Sequence, residues 1–277
     1  MINLTSVTIG NGVTNIEEAT FRYCSSLTSI TIPDNVTNIG YGAFCGCDSL
    51  TKLTIGNGVT TIEGEAFSGC IGLTEITIPD SVTYIGDRAF YGCISLTDIV
   101  IPENVTNIEG DAFSWCTNLK NITISNSMTD IGECAFDNCE NLESIFIKGY
   151  SIHGDFGKIY HLTEKLQKAL SMLENQDFSA ELDNEMKYPV ILAYYRKTKN
   201  TKALINEFEK IVTYVIQQND IAVIESLIAV DNLFTKKNID KLIQTAIDNQ
   251  KHEIYVILLN YKAEKLGFKD IKEQFKL

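Results

Sequence analysis

The cysteines are the residues of this 277-residue chain with the most reactive side chains, and most of them are regularly spaced. Zinc needs four converging ligands, usually in C-x-x-C pairs, but here each repeat would supply one thiol, and His153, His161 and His252 lie elsewhere. Adjacent repeats lie close enough for disulfides, but a single-file row gives no unique pairing. We therefore expect these cysteines to point inward, stacked from repeat to repeat, and to serve as small buried hydrophobic residues. The six members of this ladder recur every 23 residues: Cys24, Cys47, Cys70, Cys93, Cys116 and Cys139.

Two further cysteines, Cys45 and Cys134, lie off this ladder. We expect both to be exposed. A pair of free exposed thiols fits a reducing compartment better than an oxidising one.

Acidic residues gather at the turn before each Ala-Phe pair, where they could form a calcium-binding edge. No EF-hand or nonapeptide spacing supports this, so we expect no metal. The sequence also lacks G-x-S-x-G, Walker, H-E-x-x-H and G-x-G-x-x-G motifs, and no repeat position places a base beside a nucleophile. We therefore expect no cofactor and no enzymatic activity. The acidic residues are Glu17, Glu18, Glu63, Glu65, Asp87, Glu109, Asp111 and Glu133.

The elements that position these residues follow from the same 23-residue period. The stretch LTEITIP (residues 73–79) alternates as a half-buried strand, and Pro33, Pro79 and Pro102 end that strand. VTYI is a second extended piece, and GDRAFYGC a short helical or 3₁₀ turn. Each repeat is one coil of a right-handed solenoid, which is stable only when stacked. The phenylalanines Phe21, Phe44, Phe67, Phe90, Phe113 and Phe136 are expected in its core.

The repeat LTSITIPDNVTNIGYGAFCGCDS resembles that of the BspA-like leucine-rich repeat family, over about 145 of the 277 residues. The resemblance implies a β-solenoid whose concave strand face binds a protein ligand. Many members are bacterial surface or secreted proteins that bind host or neighbouring-cell proteins. The first residues, MINLTSVTIG, have no signal-peptide pattern and begin in mid-repeat, which favours a fragment or a trimmed chain. A cytoplasmic location is therefore the alternative.

Two outward rows on the strands are the predicted ligand face. The varied row is Ser6, Ser29, Lys52, Glu75, Asp98, Asn121 and Ser144, and beside it the threonine row is Thr8, Thr31, Thr54, Thr77, Val100, Thr123 and Phe146. Threonine also suits a pleated surface for purely structural reasons. The candidate ligand-binding residues are Lys52, Thr54, Glu75, Thr77, Asp98, Val100, Asn121 and Thr123.

From about residue 160 the hydrophobic period becomes helical. Helices are predicted at about 161–173, 186–196, 201–217, 221–230, 237–249 and 252–264. The stretch at 242–264 is similar to an ankyrin repeat, with Ala246, Ile254, Leu258 and Leu259 in core slots, but it lacks the T-P-L-H turn. A plain helical cap for the solenoid is the alternative.

Charge supports a division near residue 150. Residues 1–150 hold five Lys/Arg and 18 Asp/Glu, whereas the remainder is balanced. The predicted domains are a solenoid at 1–148, a junction at 149–160 and an all-α, ankyrin-like domain at 161–277.

An acidic first half disfavours nucleic acids and anionic lipid as partners, and no apolar run is long enough to enter a membrane. We expect a monomer that binds a protein. The runner-up is an intracellular scaffold joining two partner-binding repeat arrays.

Overall fold

The computed structural model describes residues 4–125, 127–147, 149–159 and 161–267. The chain divides into two compact units, Met1–Lys197 and Thr198–Leu277. Residues 161–197, assigned above to the helical domain, therefore belong to the unit that contains the repeats. Residues 1–3, 126, 148, 160 and 268–277, which the predicted domains include, lie outside the described part of the chain.

The second extended piece of every repeat forms one parallel ladder of two-residue strands. Adjacent strands pair in register, so that Ile39 lies between Ile16 and Ile62. Identical residues are thereby stacked on one another along the ladder. The strands are β1 (Asn15–Ile16), β3 (Asn38–Ile39), β5 (Thr61–Ile62), β6 (Tyr84–Ile85), β8 (Asn107–Ile108) and β10 (Asp130–Ile131).

The first extended piece forms a second ladder, which is interrupted. The predicted strand at residues 73–79 is wrong, because this coil makes only an isolated bridge, between Lys52 and Glu75. Ile76, in its inward slot, is half-buried, whereas Leu53 and Ile99 are buried. The ladder consists of β2 (Ser29–Ile32) with β4 (Lys52–Ile55), and of β7 (Asp98–Val100), β9 (Asn121–Ile124), β11 (Ser144–Ile147) and the antiparallel β12 (Tyr150–His153).

The phenylalanine ladder predicted from the sequence is the centre of the core. Its six rings stack with centroids 5.1 to 5.5 Å apart and interplanar angles of 3° to 18°. Five of them are fully buried. Phe21, at the amino-terminal end, is only half-buried, because a ring covers it on one side alone.

The turn segments, such as residues 86–93, are closed by hydrogen bonds between residues three apart, for example Ala89 N to Gly86 O at 3.1 Å. Two positions in each segment have positive φ. This conformation directs amides at the next coil, so that Arg88 N donates to Gly110 O at 2.9 Å. It costs a residue with a side chain about 1 kcal/mol, which coil stacking offsets. The first position holds Ala19, Gly42, Glu65, Arg88, Asp111 and Cys134; the second holds Tyr23, Gly46, Gly69, Gly92, Trp115 and Asn138.

Helix α1 (Leu162–Asn175) closes the carboxyl-terminal end of the turn segments. In five coils the phenylalanine N–H donates to an alanine carbonyl one coil further on, as Phe113 N does to Ala135 O at 2.8 Å. Phe136 donates instead to Thr163 Oγ1 at 3.2 Å, and this hydroxyl donates to Asp137 Oδ1 at 3.2 Å. Thr163 is 3% exposed. Its hydroxyl takes the place of a sixth alanine carbonyl.

A second helix, α2 (Asn184–Thr198), adds Val190, Ala193 and Tyr194 to the hydrophobic core that contains the coils. The segment predicted as a junction, residues 149–160, contains β12 and a 3₁₀ turn at Phe156–Lys158. Phe156 is fully buried in the same core. The first helices of the chain thus act as a cap on the solenoid.

The second unit contains α3 (Lys202–Asn206), α4 (Phe208–Gln218), α5 (Ile221–Ile228), α6 (Ile239–Asp248) and α7 (His252–Lys265). The helix predicted at 201–217 is divided at Glu207. The helices α4 and α5 form a pair that recurs 31 residues later as α6 and α7. Ala246, Ile254 and Leu258 are buried as predicted, but Leu259 is half-buried. The ankyrin likeness of these pairs stays a prediction.

We expect Phe113→Ala to lower the free energy of unfolding by about 3–5 kcal/mol, since it removes a fully buried ring from between two others. Trp115→Ala, two residues away at a side chain 47% exposed, should cost much less. Urea denaturation of both variants measures the difference. Equal losses would contradict the assignment of inward and outward turn positions.

The cap predicts a specific hydroxyl requirement. Thr163→Val should destabilise the first unit by about 1–3 kcal/mol, because it leaves the buried Phe136 N–H without an acceptor. Thr163→Ser keeps the hydroxyl and should recover most of that loss. Denaturation midpoints of the two variants test this, and a serine variant as unstable as the valine variant would contradict the role assigned to the hydroxyl.

Candidate ligand-binding face

In β4, β7 and β9 the candidate residues alternate with buried ones and lie on the outward face of each strand, and Glu75 joins them through an isolated bridge. Lys52 is bridged to Glu75, and Asp98 pairs with Asn121. In the neighbouring row Val100 pairs with Thr123. Six of the eight are exposed, and Asn121 and Thr123 are half-buried. The alternation of exposed and buried residues in β4, Lys52 out and Leu53 in, is the reason why these side chains share a face.

A hydrogen bond orders the centre of the varied row. Asn121 Nδ2 donates to Asp98 Oδ1 at 2.6 Å. Hydrogen bonds from Thr97 and Asn121 lower the pKa of Asp98, so its charge is retained well into the acid range. The row therefore presents a fixed negative charge one strand away from a neutral amide.

The threonine row ends in an apolar cleft of about 350 Å³. Here Val100 and Phe146 replace threonine and are 59% and 37% exposed, with Thr123 between them. Tyr150 of β12 forms another part of its wall, and Lys197 Nζ lies 4.1 Å from the centre of that ring. Threonine would have made this stretch polar, so the substitutions create a local apolar anchor.

His153 lies at the end of the varied row and was not singled out from the sequence as part of this face. Its Nδ1 and Nε2 are each 2.8 Å from a serine hydroxyl, of Ser144 and Ser151 respectively. Phe146 packs edge-on against its ring. Ser144, predicted to point outward, is buried because the antiparallel partner β12 covers it. The reversal of the chain at β12 could not be read from the repeats.

The six ladder cysteines are buried, as predicted, and they also make a contact that the spacing did not reveal. Five of them direct Sγ at the phenylalanine carbonyl 26 residues earlier, at 3.2 to 3.4 Å, so that Cys93 Sγ donates to Phe67 O. Burial raises the pKa of Cys47 and of Cys139 to about 12. These thiols therefore stay protonated and unreactive at neutral pH.

The expectation for Cys45 was wrong. Cys45 is only 9% exposed, whereas Cys134 is half-buried. The side chain of Arg22, from the preceding coil, lies beside the Cys45 thiol, which explains the loss of exposure. All eight cysteines are free in the described part of the chain.

Metal binding and membrane insertion are two further roles on which the described residues bear. No three histidine, cysteine, aspartate or glutamate side chains converge in an arrangement that could hold a metal ion. Within the same residues, none of the helices has the length and apolar character that a membrane crossing requires.

A sequence profile of the BspA type leucine-rich repeat region matches this chain in six copies, over residues 1–93 and 38–156. No curated protein matches it. Among solved structures, a T. pallidum leucine-rich repeat protein is 26% identical, with alignment over 47% of this chain and 72% of that chain and a TM-score of 0.40.

Two other structures are similar at higher identity. A leucine-rich cell surface protein from Faecalibacterium prausnitzii is 32% identical over 55% of this chain and 50% of that one, with a TM-score of 0.40. A leucine-rich repeat protein from Eubacterium ventriosum is 31% identical over 48% and 36%, with a TM-score of 0.46. The chain thus matches half or less of the length of these two relatives.

We expect native protein at pH 8 to react rapidly with a thiol reagent at one position, Cys134, because the other seven thiols are buried. Denaturation should release the remaining seven. Counting the coloured product before and after unfolding measures both numbers. Cys134→Ser should abolish the native reaction, and rapid labelling of several ladder cysteines would contradict the burial described here.

Proposed function

The chain belongs to the BspA-type leucine-rich repeat family, and from this premise we propose that it is a non-enzymatic module that binds a protein ligand through the strand face of its solenoid. Repeat proteins of this kind present extended surfaces built from equivalent positions of successive coils. The proposal needs a part of that surface whose residues differ from coil to coil and contribute nothing to the core.

The varied row on the strand face is the observation that carries the proposal. Lys52, Glu75 and Asp98 occupy one slot of successive coils and are exposed, whereas the slots beneath them hold apolar residues. Lys52 and Glu75 are bridged at about the 4.8 Å spacing of paired strands, and Asp98 occupies the same position in the next coil, so these charges form a strip. Charges arranged in this way select partners and speed encounter more than they add raw affinity.

The apolar cleft at Val100 and Phe146 supplies the anchor that a charged strip lacks. Binding energy in protein interfaces concentrates in a few buried apolar or aromatic contacts surrounded by a polar rim. The exposed side chains of Val100 and Phe146, with Thr123 between them, would supply such a contact, and Val100 lies two residues from Asp98 of the charged strip in β7. A ligand covering both parts would lie across several strands of the second ladder.

For the biological setting we propose a surface-linked or secreted bacterial binding protein, because the family resemblance implies it. One observation favours a second function, an intracellular scaffold: all eight described cysteines are free, which fits a reducing compartment. In that case the helical pairs of the second unit would bind a further partner. Antibody labelling of intact cells, compared with permeabilised cells, separates the two settings.

We expect the triple variant Lys52→Glu, Glu75→Lys and Asp98→Lys to bind its protein partner at least about tenfold more weakly, equivalent to about 1.4 kcal/mol. The partner would be captured with a photo-crosslinking residue in place of Asn121, and its affinity measured by titration calorimetry. The melting temperature should change little, because the three side chains are exposed.

The matched control is Glu140→Lys, which gives the same change in net charge at an exposed residue outside the strand face. It should leave the affinity within about twofold. An equal loss of affinity in the control would show that the change in net charge, and not its position, weakens binding. Full binding by the triple variant would show that the strand face is not the site.

A further inference from the structure

A second open cleft, of about 410 Å³, lies on the turn segments of four successive coils, between Glu65 and Asn138. Its volume is within the range of small-molecule sites, about 300–1,000 Å³. The cleft shares no residue with the strand face, and no part of the proposed protein binding uses it.

One wall of the cleft is Trp115, the only tryptophan of the chain. It is 47% exposed and has a φ of +62°, in the slot that Gly69 and Gly92 fill in the two preceding coils. A Cβ placed on Gly92 would meet no atom within 4 Å, so the space in front of the indole is left open. Within the described residues the indole makes no hydrogen bond. About half of this large aromatic residue is thus exposed at the wall of the cleft.

The floor of the cleft contains a hydroxyl that opens onto it. Ser114 is 2% exposed and lines the cleft, and its hydroxyl bonds to no other residue in the described part of the chain. Among the described residues no side-chain oxygen or nitrogen is fully buried without a partner, so this hydroxyl is accessible from the cleft. Tyr91 and Ser68, from the two preceding coils, lie in the same row and also line the cleft.

The rim combines hydrogen-bond donors and acceptors. Arg88 Nη2 donates to Asp111 Oδ2 at 3.1 Å, and the guanidinium has further N–H groups beyond that bond. Asp137 accepts from Thr163 N and Oγ1 through Oδ1, and the Cys134 thiol is a further hydrogen-bond partner of this carboxylate. Asn138 is exposed beside it and can donate as well as accept.

This set of groups discriminates between ligand classes. An anion would meet three carboxylates, Glu65, Asp111 and Asp137, and a cation would compete with Arg22 and Arg88, which already pair with Glu65 and Asp111. An apolar molecule would leave these charged groups unsatisfied. A neutral ring with several hydroxyls satisfies both kinds of group, since each hydroxyl donates and accepts, and its C–H face can lie on an indole. We propose that the cleft binds a neutral saccharide, with one sugar ring stacked on Trp115 and its hydroxyls bonded to Ser114 and the charged rim.

The position of Trp115 provides a direct test. Because it is the only tryptophan, its emission reports on the cleft alone. Titration of the full chain with neutral oligosaccharides of hexoses and N-acetylhexosamines should give a saturable blue shift for at least one of them. A printed array of the same neutral glycans, together with sialylated ones and an oligolysine peptide, gives an independent readout.

On the array Trp115→Gly should lose about tenfold or more of the neutral-glycan signal, and glycine keeps the positive φ of this position without strain. Tyr23→Gly is the matched control: Tyr23 occupies the same slot with a φ of +59° and is 61% exposed, but it lies outside the cleft. It should bind like the unaltered chain. Ser114→Ala should weaken binding while leaving the fold intact.

Three results would overturn the proposal. They are an absence of binding to any neutral glycan, a preference for oligolysine or sialylated glycans, and equal loss of signal in the Trp115 and Tyr23 variants. None of these outcomes depends on the protein partner of the strand face, so the two proposals are tested independently.

Discussion

Backbone hydrogen bonds between equivalent residues of successive coils are the constraint on which the first unit depends. Thr60 N donates to Thr37 O, and Thr83 N donates to Thr60 O, both at 2.9 Å. Each bond fixes the next coil at one offset, and every side chain consequently lies against its counterpart 23 residues away. The stacking of Phe67 on Phe44 follows directly from this offset. A coil without neighbours would lose both its hydrogen bonds and its covered core.

The same constraint makes the end of the ladder a structural problem, because an open edge exposes unpaired N–H and C=O groups. The chain resolves it twice. Strand β12 returns antiparallel along β11, and Thr163 supplies an oxygen to Phe136 N. The helix that carries Thr163 looks like the start of a helical domain in the sequence. Its hydrogen bonds place it instead with the coils.

The inward residues were predictable because stacking makes each slot uniform, and Phe90 or Cys93 therefore stands out by repetition alone. Backbone conformation was harder to predict. Arg88 and Asp111 have positive φ, which is uncommon for residues with a side chain. The only sequence signal is Gly42 at the equivalent position of another coil. Burial of Cys45 depends on Arg22, whose side chain comes from another coil. Contacts of this kind, between non-equivalent positions of two repeats, cannot be recognised from the 23-residue period of the sequence.

The candidate face was only partly predictable for a related reason. Val100 and Phe146 interrupt a row of threonines, and this irregularity is visible in the sequence. The cleft that they form also requires Tyr150, which follows the repeats and reaches them through the reversal at β12. Trp115 likewise stands out as the single tryptophan. Its outward direction, however, follows from a backbone with positive φ, which could not be predicted from the sequence.

The cap also has a genetic consequence. In the described part of the chain the Thr163 side chain bonds to the last coil, through Phe136 and Asp137, and the earlier coils are joined by hydrogen bonds between equivalent residues. Unequal recombination between repeats would insert or delete a whole coil and leave both the cap and its docking surface unchanged. Each event would lengthen or shorten the strand face by about 4.8 Å. Alleles of different lengths would then keep the same cap and the same contacts between coils. They would differ in the length of the surface that they present to a ligand.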